Sequence, residues 1–220
     1  MNKLTLLIPA KSESESLPVV LKELDKYDFQ KKIVLEKNDT KTIDSIKNFN
    51  CEIIFQKGKG YGNALIEGIN LINTEYLCIF NADGSFNPNE LNKMLNKCEE
   101  GNDFIFSSRY TLGGTSEDDT LFTKFGNFFF TLIGNLFFRL NIDDILYTYV
   151  LGKTNSFKDL NLKSNDFRFC VELPIKAKRN KMKYSNIGSY ERKRFKGRKK
   201  VNEIKDGFLI LNELIKLYFN

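Results

Sequence analysis

The sequence predicts an α/β fold built on a mostly parallel sheet flanked by helices. Two observations carry this. Through the first half, short apolar runs alternate with segments of helical length, and each run ends in a cluster of glycine, proline or polar residues. Leu4–Pro9 is apolar without interruption, the pattern of a strand covered on both faces rather than one with a wet side. Strands separated by helix-length segments imply right-handed crossovers and hence parallel pairing.

The elements follow in order. After the Leu4–Pro9 strand, Ser16-Leu17-Pro18 opens a helix reaching about Lys26, with Pro18 in its first turn. A second short strand covers Lys32–Glu36 and a helix Thr42–Phe49. The third strand, Glu52–Gln56, runs into the glycine-rich turn Gly58-Lys59-Gly60-Tyr61-Gly62 and a helix from Asn63 to Ile72. A fourth strand, Glu75–Phe80, ends at Asn81-Ala82-Asp83-Gly84; Pro88–Glu99 is a helix with Asn87 as candidate cap, and Asp103–Ser107 a fifth strand. In such a sheet chemistry sits outside the carboxyl ends of the strands. The loops Ala10–Glu15, Glu36–Asp39, Lys57–Gly62 and Asn81–Ser85 should therefore converge on one crevice.

The second half changes character. In Leu121–Arg139 the polar positions Thr123, Asn127, Thr131, Asn135 and Arg139 recur every fourth residue, and phenylalanine, leucine and isoleucine fill most of the rest. That is a helix with a narrow polar stripe, shorter than the roughly 20 apolar residues of a membrane span. It reads equally as a core helix or as one lying in a membrane interface. Val201, Ile204, Phe208, Leu211, Ile215 and Tyr218 mark a C-terminal amphipathic helix.

Composition narrows the chemistry. With 220 residues there is room for one domain with a sizeable core, and 41% hydrophobic with 28% charged residues excludes wholesale disorder and a polytopic membrane protein. Met1-Asn2-Lys3 runs straight into the first strand without the length or cleavage site of a signal peptide. The four cysteines are far apart and read as reduced core thiols, so a cytoplasmic protein is expected. There is no histidine, so any metal must be held by oxygen, which favours Mg²⁺ or Mn²⁺ over zinc. The net charge is +6, and Glu191 is the only acid between Lys176 and Lys200. That stretch suits a diphosphate, an anionic lipid headgroup or nucleic acid, or is simply a solvated face.

Two motifs carry the chemistry. Asp83 closes an apolar strand, where a carboxylate can hold a divalent cation bridging two phosphates; alone it could equally cap a turn. In Lys57–Ala64, glycines let backbone N–H groups approach phosphate at a helix N-terminus, and Lys57 and Lys59 flank them. No Gly-Lys-Ser/Thr ends the run, so it is not a Walker A loop.

At these residues the chain resembles a known family. Ile8-Pro9-Ala10-Lys11-Ser12-Glu13 through Leu17-Pro18 looks like the I-P-x-x-N-E-x-x-x-L-P opening of family 2 glycosyltransferases. Lys57–Ala64 with Gly68, Asn81–Pro88, Ser107-Ser108-Arg109-Tyr110 with Gly113-Gly114, and Ser189–Arg192 with Arg194, Gly197 and Lys200 resemble, in order, motifs of the dolichyl-phosphate mannose synthase branch. The resemblance implies a GT-A fold over residues 1–220, with 1–110 as the nucleotide-sugar half and 111–220 as the acceptor half. It implies inverting transfer of a hexose from a GDP- or UDP-sugar. Pro9, Ala10, Glu13, Asn81 and Ala82 would line the nucleotide-sugar pocket with Lys57, Lys59 and Gly62, and Asp83 would bind Mg²⁺ or Mn²⁺. Arg194 and Lys200 would grip phosphate, and Arg109 would sit beside the sugar or acceptor.

There are departures. Leu35-Glu36-Lys37-Asn38-Asp39 replaces the usual V-D-D-G-S, leaving Glu36 or Asp39 as substitutes for base recognition, and Asn81 replaces the first Asp of D-x-D. Leu146–Val150 stands where S-G-F-[RK] is usual, and the Q-x-x-R-W signature of processive synthases is absent, which speaks against polymerisation. A phosphate acceptor needs positive charge and no base, whereas a sugar hydroxyl needs a carboxylate within reach, for which Asp144 and Glu172 are the candidates. The basic stretch and the phenylalanine-rich helix favour a polyprenyl phosphate at the cytoplasmic membrane face. A glycan or lipid-linked sugar acceptor is the runner-up. A non-catalytic nucleotide-sugar-binding protein and an RNA-binding domain are readings of other classes; the latter lacks any base-stacking motif.

Overall fold

The computed structural model describes residues 3–196 and 202–219. In chain order its first half comprises β1 (Leu4–Pro9), α1 (Leu17–Leu24), β2 (Gln30–Leu35), α2 (Thr40–Ile46), β3 (Glu52–Phe55), α3 (Tyr61–Asn70), β4 (Tyr76–Ile79), a 3₁₀ turn leading into α4 (Leu91–Glu99), and β5 (Phe104–Ser108). Each of the five strands and four helices expected here is present, with ends displaced by at most three residues. The second half adds β6 (Thr115–Ser116), α5 (Leu121–Phe138), β7 (Val150–Lys153), α6 (Thr154–Asp159), α7 (Phe169–Arg179), β8 (Tyr184–Gly188), β9 (Tyr190–Glu191) and α8 (Glu203–Phe219). Only α5 and α8 of these stood out in the sequence.

The main sheet runs β3-β2-β1-β4-β7-β5-β8, parallel except for β7, which is antiparallel to both neighbours. Residues along β1 point alternately to the two faces. Leu4, Leu6 and Ile8 join the core under α1, α2 and α4, while Leu7 joins the core under α3. Gly68 lets α3 lie directly on the sheet, because a Cβ there would stand 2.3 Å from a Leu7 methyl. The strap Tyr190–Glu191 pairs with Thr115–Ser116 in a small second sheet outside the strand ends.

Two expectations drawn from pattern are corrected. The basic stretch is not one surface. Lys176, Lys178 and Arg179 end α7 and precede β8, whereas Arg192, Arg194 and Lys196 follow it. β8 is parallel to β5, so its five residues carry the chain across roughly 13 Å, from the amino edge of the sheet to the carboxyl edge. Of these six basic residues, only Arg194 lines the crevice.

The core-helix reading of α5 also fails, because the helix is turned the opposite way to an ordinary amphipathic one. Its polar stripe faces inward: Asn135 exchanges hydrogen bonds of 2.8 and 3.1 Å with the backbone of Ile142, Thr131 accepts from Ile145 N at 3.2 Å, and Asn127 from Leu146 N at 3.1 Å. The segment before β7 spends its backbone groups on these side chains instead of on a ladder. The apolar face is left outside, with Phe125, Phe128 and Leu136 between 64 and 69% exposed.

Candidate active site

At the carboxyl edge of the sheet lies a cavity of about 710 Å³. It is lined by Pro9, Ala10 and Glu13 after β1, Glu36 after β2, Asn81, Ala82 and Asp83 after β4, Arg109 after β5, and Arg194 on the strap. Nine residues singled out in the sequence thus meet in one place. They come from four strand ends and the strap, as a parallel sheet requires.

The loop after β1 is held from below. Ser12, in a left-handed conformation (φ 54°), donates its N–H to Asp39 at 2.7 Å, and Glu13 N donates to Thr42 Oγ1 at 3.0 Å. Asp39 is outside the cavity lining. Its carboxylate caps α2 through Thr42 N and carries the Ser12 loop, so it positions the pocket rather than contacting a base. Glu36 does line the cavity, paired with Lys11 at 3.1 Å.

In the glycine-rich turn, the backbone N–H groups of Lys57, Gly58 and Asn63 are bonded within the protein. Asn63 N, at the start of α3, is taken by Asn165 O at 2.9 Å. A Cβ on Gly60 or Gly62 would lie 2.2 Å from Asn165 O or 2.0 Å from Ser164 O. The glycines are there for the close passage of residues 164–166. Lys57 N and Gly58 N both donate to the Glu67 carboxylate, at 2.8 and 2.9 Å, and Lys57, Lys59 and Gly62 are absent from the lining. The turn gives the cavity Gly60 and Tyr61, the latter bonded to Thr148 at 2.7 Å and stacked on Phe167. Gly62→Ala is expected to lower the melting temperature by several degrees, from an overpacking cost of about 1–3 kcal/mol, with no change in nucleotide affinity once folded. Thermal denaturation beside a binding titration checks both.

The two carboxylate oxygens of Asp83 have different surroundings. Its Oδ1 accepts from Ser85 N at 3.0 Å and Ser85 Oγ at 2.7 Å, which is a turn cap. Its Oδ2 accepts no hydrogen bond among the described residues and stands 4.0 Å from Arg194. The strap is sewn to this loop by Phe195 N to Asp83 O and Arg192 N to Ser85 O, both 2.8 Å. No group of three or more acidic or cysteine side chains able to hold a metal exists among the described residues. A magnesium-like ion needs no such cage, since it commonly uses one or two carboxylates with substrate phosphates and water. Asp83 Oδ2 fits that donor set.

Arg109 is the electrostatic hub. Its Nε and Nη2 grip Asp144 at 2.8 and 2.9 Å, and Nη1 reaches Asp119 and Glu191, each at 3.2 Å. Burial works against its charge, but Asp144 and Glu191 outweigh that and raise its pKa well above the ordinary value. Asp144, expected as a base, is fully buried at the back of this pair and outside the cavity lining, so it holds Arg109 in place. Glu172 is also corrected. It accepts from Lys163 N at 2.9 Å and Ser164 N at 2.7 Å, pairs with Lys176 at 2.8 Å, and lies outside the lining. Burial would raise its pKa, yet these partners bring it below the usual value. It staples the loop that covers Gly60 and Gly62. Lys200 lies outside the described residues.

Sequence reasoning passed over the cavity acids Asp118, Asp119, Glu191, Glu203 and Asp206, of which Glu191 stood alone in the basic stretch. Burial, only partly opposed by Arg109, raises the Glu191 pKa. Arg194 forms a two-point pair with Asp118 at 2.5 and 3.3 Å.

Comparisons with known proteins agree with this geometry. Residues 5–161 match the family model described as glycosyl transferase family 2. Over 217 residues the chain is 24% identical to glycosyltransferase AglJ of Haloferax volcanii, covering 96% of this chain and 70% of that one. Among solved structures it resembles glucosyl-3-phosphoglycerate synthase from Mycobacterium tuberculosis, captured with Mn²⁺, UDP and glucosyl-3-phosphoglycerate. The TM-score is 0.76 at 10% identity, over 98% of this chain and 80% of that one. It also resembles mannosyl-3-phosphoglycerate synthase from Rubrobacter xylanophilus, with a TM-score of 0.71 at 12% identity over 98% and 73% of the two chains. The structural likenesses establish the shared GT-A fold, and the match across most of the chain establishes more: this protein belongs to glycosyl transferase family 2.

Proposed function

We propose that the chain transfers a hexose from a nucleoside-diphosphate sugar to a polyprenyl phosphate at the cytoplasmic face of a membrane. The observation that carries this reading is that one cavity joins the Asp83 loop to α5 and α8, helices whose outer faces are apolar and exposed. Phe122, Gly126 and Phe130 of α5 and Gly207 and Ile210 of α8 form its far wall. On the same two helices Phe125, Phe128, Phe208 and Phe219 are between 64 and 81% exposed. Such a face suits the headgroup region of a bilayer. α5 is the one helix among the described residues long and apolar enough to cross a membrane, but its inward hydrogen bonds tie it to the 142–146 segment.

In this reading residues 1–110 hold the donor and 111–220 the acceptor. Pro9, Ala10, Glu13 and Glu36 frame the nucleotide, Arg194 faces its phosphates, and Arg109 faces the acceptor. A divalent cation held by Asp83 and the donor's diphosphate would neutralise charge developing on the departing nucleotide. The acceptor phosphate is already anionic and attacks without a base. Hexose transfer measured with polyprenyl phosphates in nanodiscs, against a panel of glycans and with each nucleotide sugar, tests the reading. Transfer to a glycan alone would sink it.

Glu191 favours one second reading, a hydroxyl acceptor. A base with a raised pKa is inactive when protonated, so the rate would climb with pH through that raised value and level off above it. Glu191→Gln would then cost about 10²- to 10⁴-fold and erase the acidic limb of the profile. With a phosphate acceptor the same variant stays within a few-fold at every pH. The pH–rate profile of the two proteins separates the readings.

A further inference from the structure

We propose that Arg194, seated on Asp118, is the resident counter-ion of Asp83 and makes cation binding at that carboxylate depend on a nucleoside diphosphate. This rests on the reading of Asp83 as a metal ligand and is independent of which acceptor takes the sugar.

The Arg194 guanidinium is shared by two cavity-lining carboxylates. Its Nη2 and Nε bond Asp118 at 2.5 and 3.3 Å, and its Nη1 stands 4.0 Å from Asp83 Oδ2. That last distance is too long for a hydrogen bond but short enough for strong attraction between charges. Asp118 thus holds the guanidinium just short of contact. The Asp83 oxygen keeps its lone pairs while its charge is already balanced. The root of the side chain is fixed from both sides. Arg192 grips Glu23 at 2.6 and 2.9 Å and donates to Phe86 O at 2.8 Å, and Phe195 N donates to Asp83 O at 2.8 Å. Phe195 lies against Gly84, whose φ is 86° and where a Cβ would meet the ring at 2.3 Å. The guanidinium is free to turn on its own torsions, but its backbone stays beside the Asp83 loop.

A bare divalent cation arriving at Oδ2 comes up against the Arg194 charge, in a half-buried place where salt screens little. Asp118 offers it no help while bonded to Arg194. The other cavity acids of the second half have partners of their own: Asp119 and Glu191 share Arg109, Asp206 takes Asn202 N at 2.7 Å, and Glu203 is engaged as well. A nucleoside diphosphate changes that balance. The planar guanidinium matches two phosphate oxygens at once, so Arg194 turns from Asp118 to the diphosphate. Asp83 is then left without its counter-ion, beside phosphate oxygens of the kind that a magnesium-like ion uses together with one carboxylate. One side chain locks Asp83 before the nucleotide comes and clamps phosphate afterwards.

Mn²⁺ is the probe, titrated into the whole chain without nucleotide and read by electron paramagnetic resonance. Affinity for GDP and UDP is measured separately in EDTA. Arg194→Met is expected to tighten Mn²⁺ by about tenfold or more. The same variant should weaken the metal-free nucleotide by about tenfold or more. A merely structural role cannot give opposite signs, because a damaged site loses both ligands. Arg194→Lys keeps the charge and should bind Mn²⁺ as weakly as wild type. Arg194→Met combined with Asp83→Asn should lose the gain, which locates it at Asp83 rather than at another acid of the lining. Mn²⁺ binding by Arg194→Met no tighter than wild type, or a gain that survives in the double variant, overturns the proposal. If the expected pattern is found but no hexose moves to any polyprenyl phosphate, the counter-ion role stands and the acceptor reading falls. If hexose moves and Arg194→Met binds Mn²⁺ like wild type, the reverse holds.

Discussion

Asp83→Asn is expected to lower hexose transfer by about a thousandfold, the scale of several kcal/mol that a metal contributes when it stabilises charge on a leaving group. The substitution is chosen for what it preserves. An asparagine Oδ1 still accepts from Ser85 N and Oγ, so the turn after β4 and the strap bonded to it keep their shape. What is lost is the carboxylate's charge, with Oδ2 replaced by an amide nitrogen. Titrating Mn²⁺ into wild type and variant at saturating donor gives the readout. The variant should need far more metal and reach a much lower plateau, with an unchanged melting temperature. Full turnover by Asp83→Asn, or wild-type turnover unaffected by a chelator, would remove the metal role from this residue.

Arg109→Met should have the largest effect on stability. The guanidinium is shared by Asp144, Asp119 and Glu191, with Asp144 fully buried behind it. Removing one partner of a buried ion pair costs about 3–5 kcal/mol, because the charge left behind cannot regain water. For a chain of this size that is a fall in melting temperature of roughly 6–20 °C. The pH dependence gives an internal check. Burial already raises the Glu191 pKa, and Arg109 is what opposes that rise, so without Arg109 its folded pKa stands further above the unfolded one. A carboxyl raised in this way stabilises the fold below that pKa and loses the contribution as pH rises through it. The variant should therefore lose ground to wild type as pH rises through that raised value and recover on acidification. A deficit independent of pH would mean that packing, not charge, is what Arg109 supplies. Transfer should also collapse in this variant, since Arg109 lines the cavity.

The first half of the fold was readable because each element announces itself locally. β1 is apolar throughout, Pro18 sits in the first turn of α1, and Asn87 caps the turn before α4, accepting from Asn89 N at 3.1 Å. The second half hid β7, α6, α7 and β8 for physical reasons. β7 is four residues long with Gly152 inside, and that glycine lets Asp103 O pass within 2.5 Å of where a Cβ would be. α7 carries an internal Pro174 and mixes lysines with its apolar residues. Neither leaves a periodic trace strong enough to read.

What the sequence determined by itself was the parallel α/β core and the identity of the loops at its carboxyl edge. Apolar runs and turn residues are local properties, and strand direction then dictates which ends meet. What only the tertiary structure decided was the role of each charge. Asp39, Glu67, Asp144 and Glu172 are carboxylates like Asp83 and Glu191, yet the first four are consumed by backbone N–H groups or by arginine and lysine. The last two line the cavity, Asp83 with Oδ2 accepting no hydrogen bond among the described residues and Glu191 while shared with Arg109 and Ser116. A polar side chain is available for chemistry only when no nearer group of the protein satisfies it, and which group is nearest depends on contacts between residues far apart in the chain.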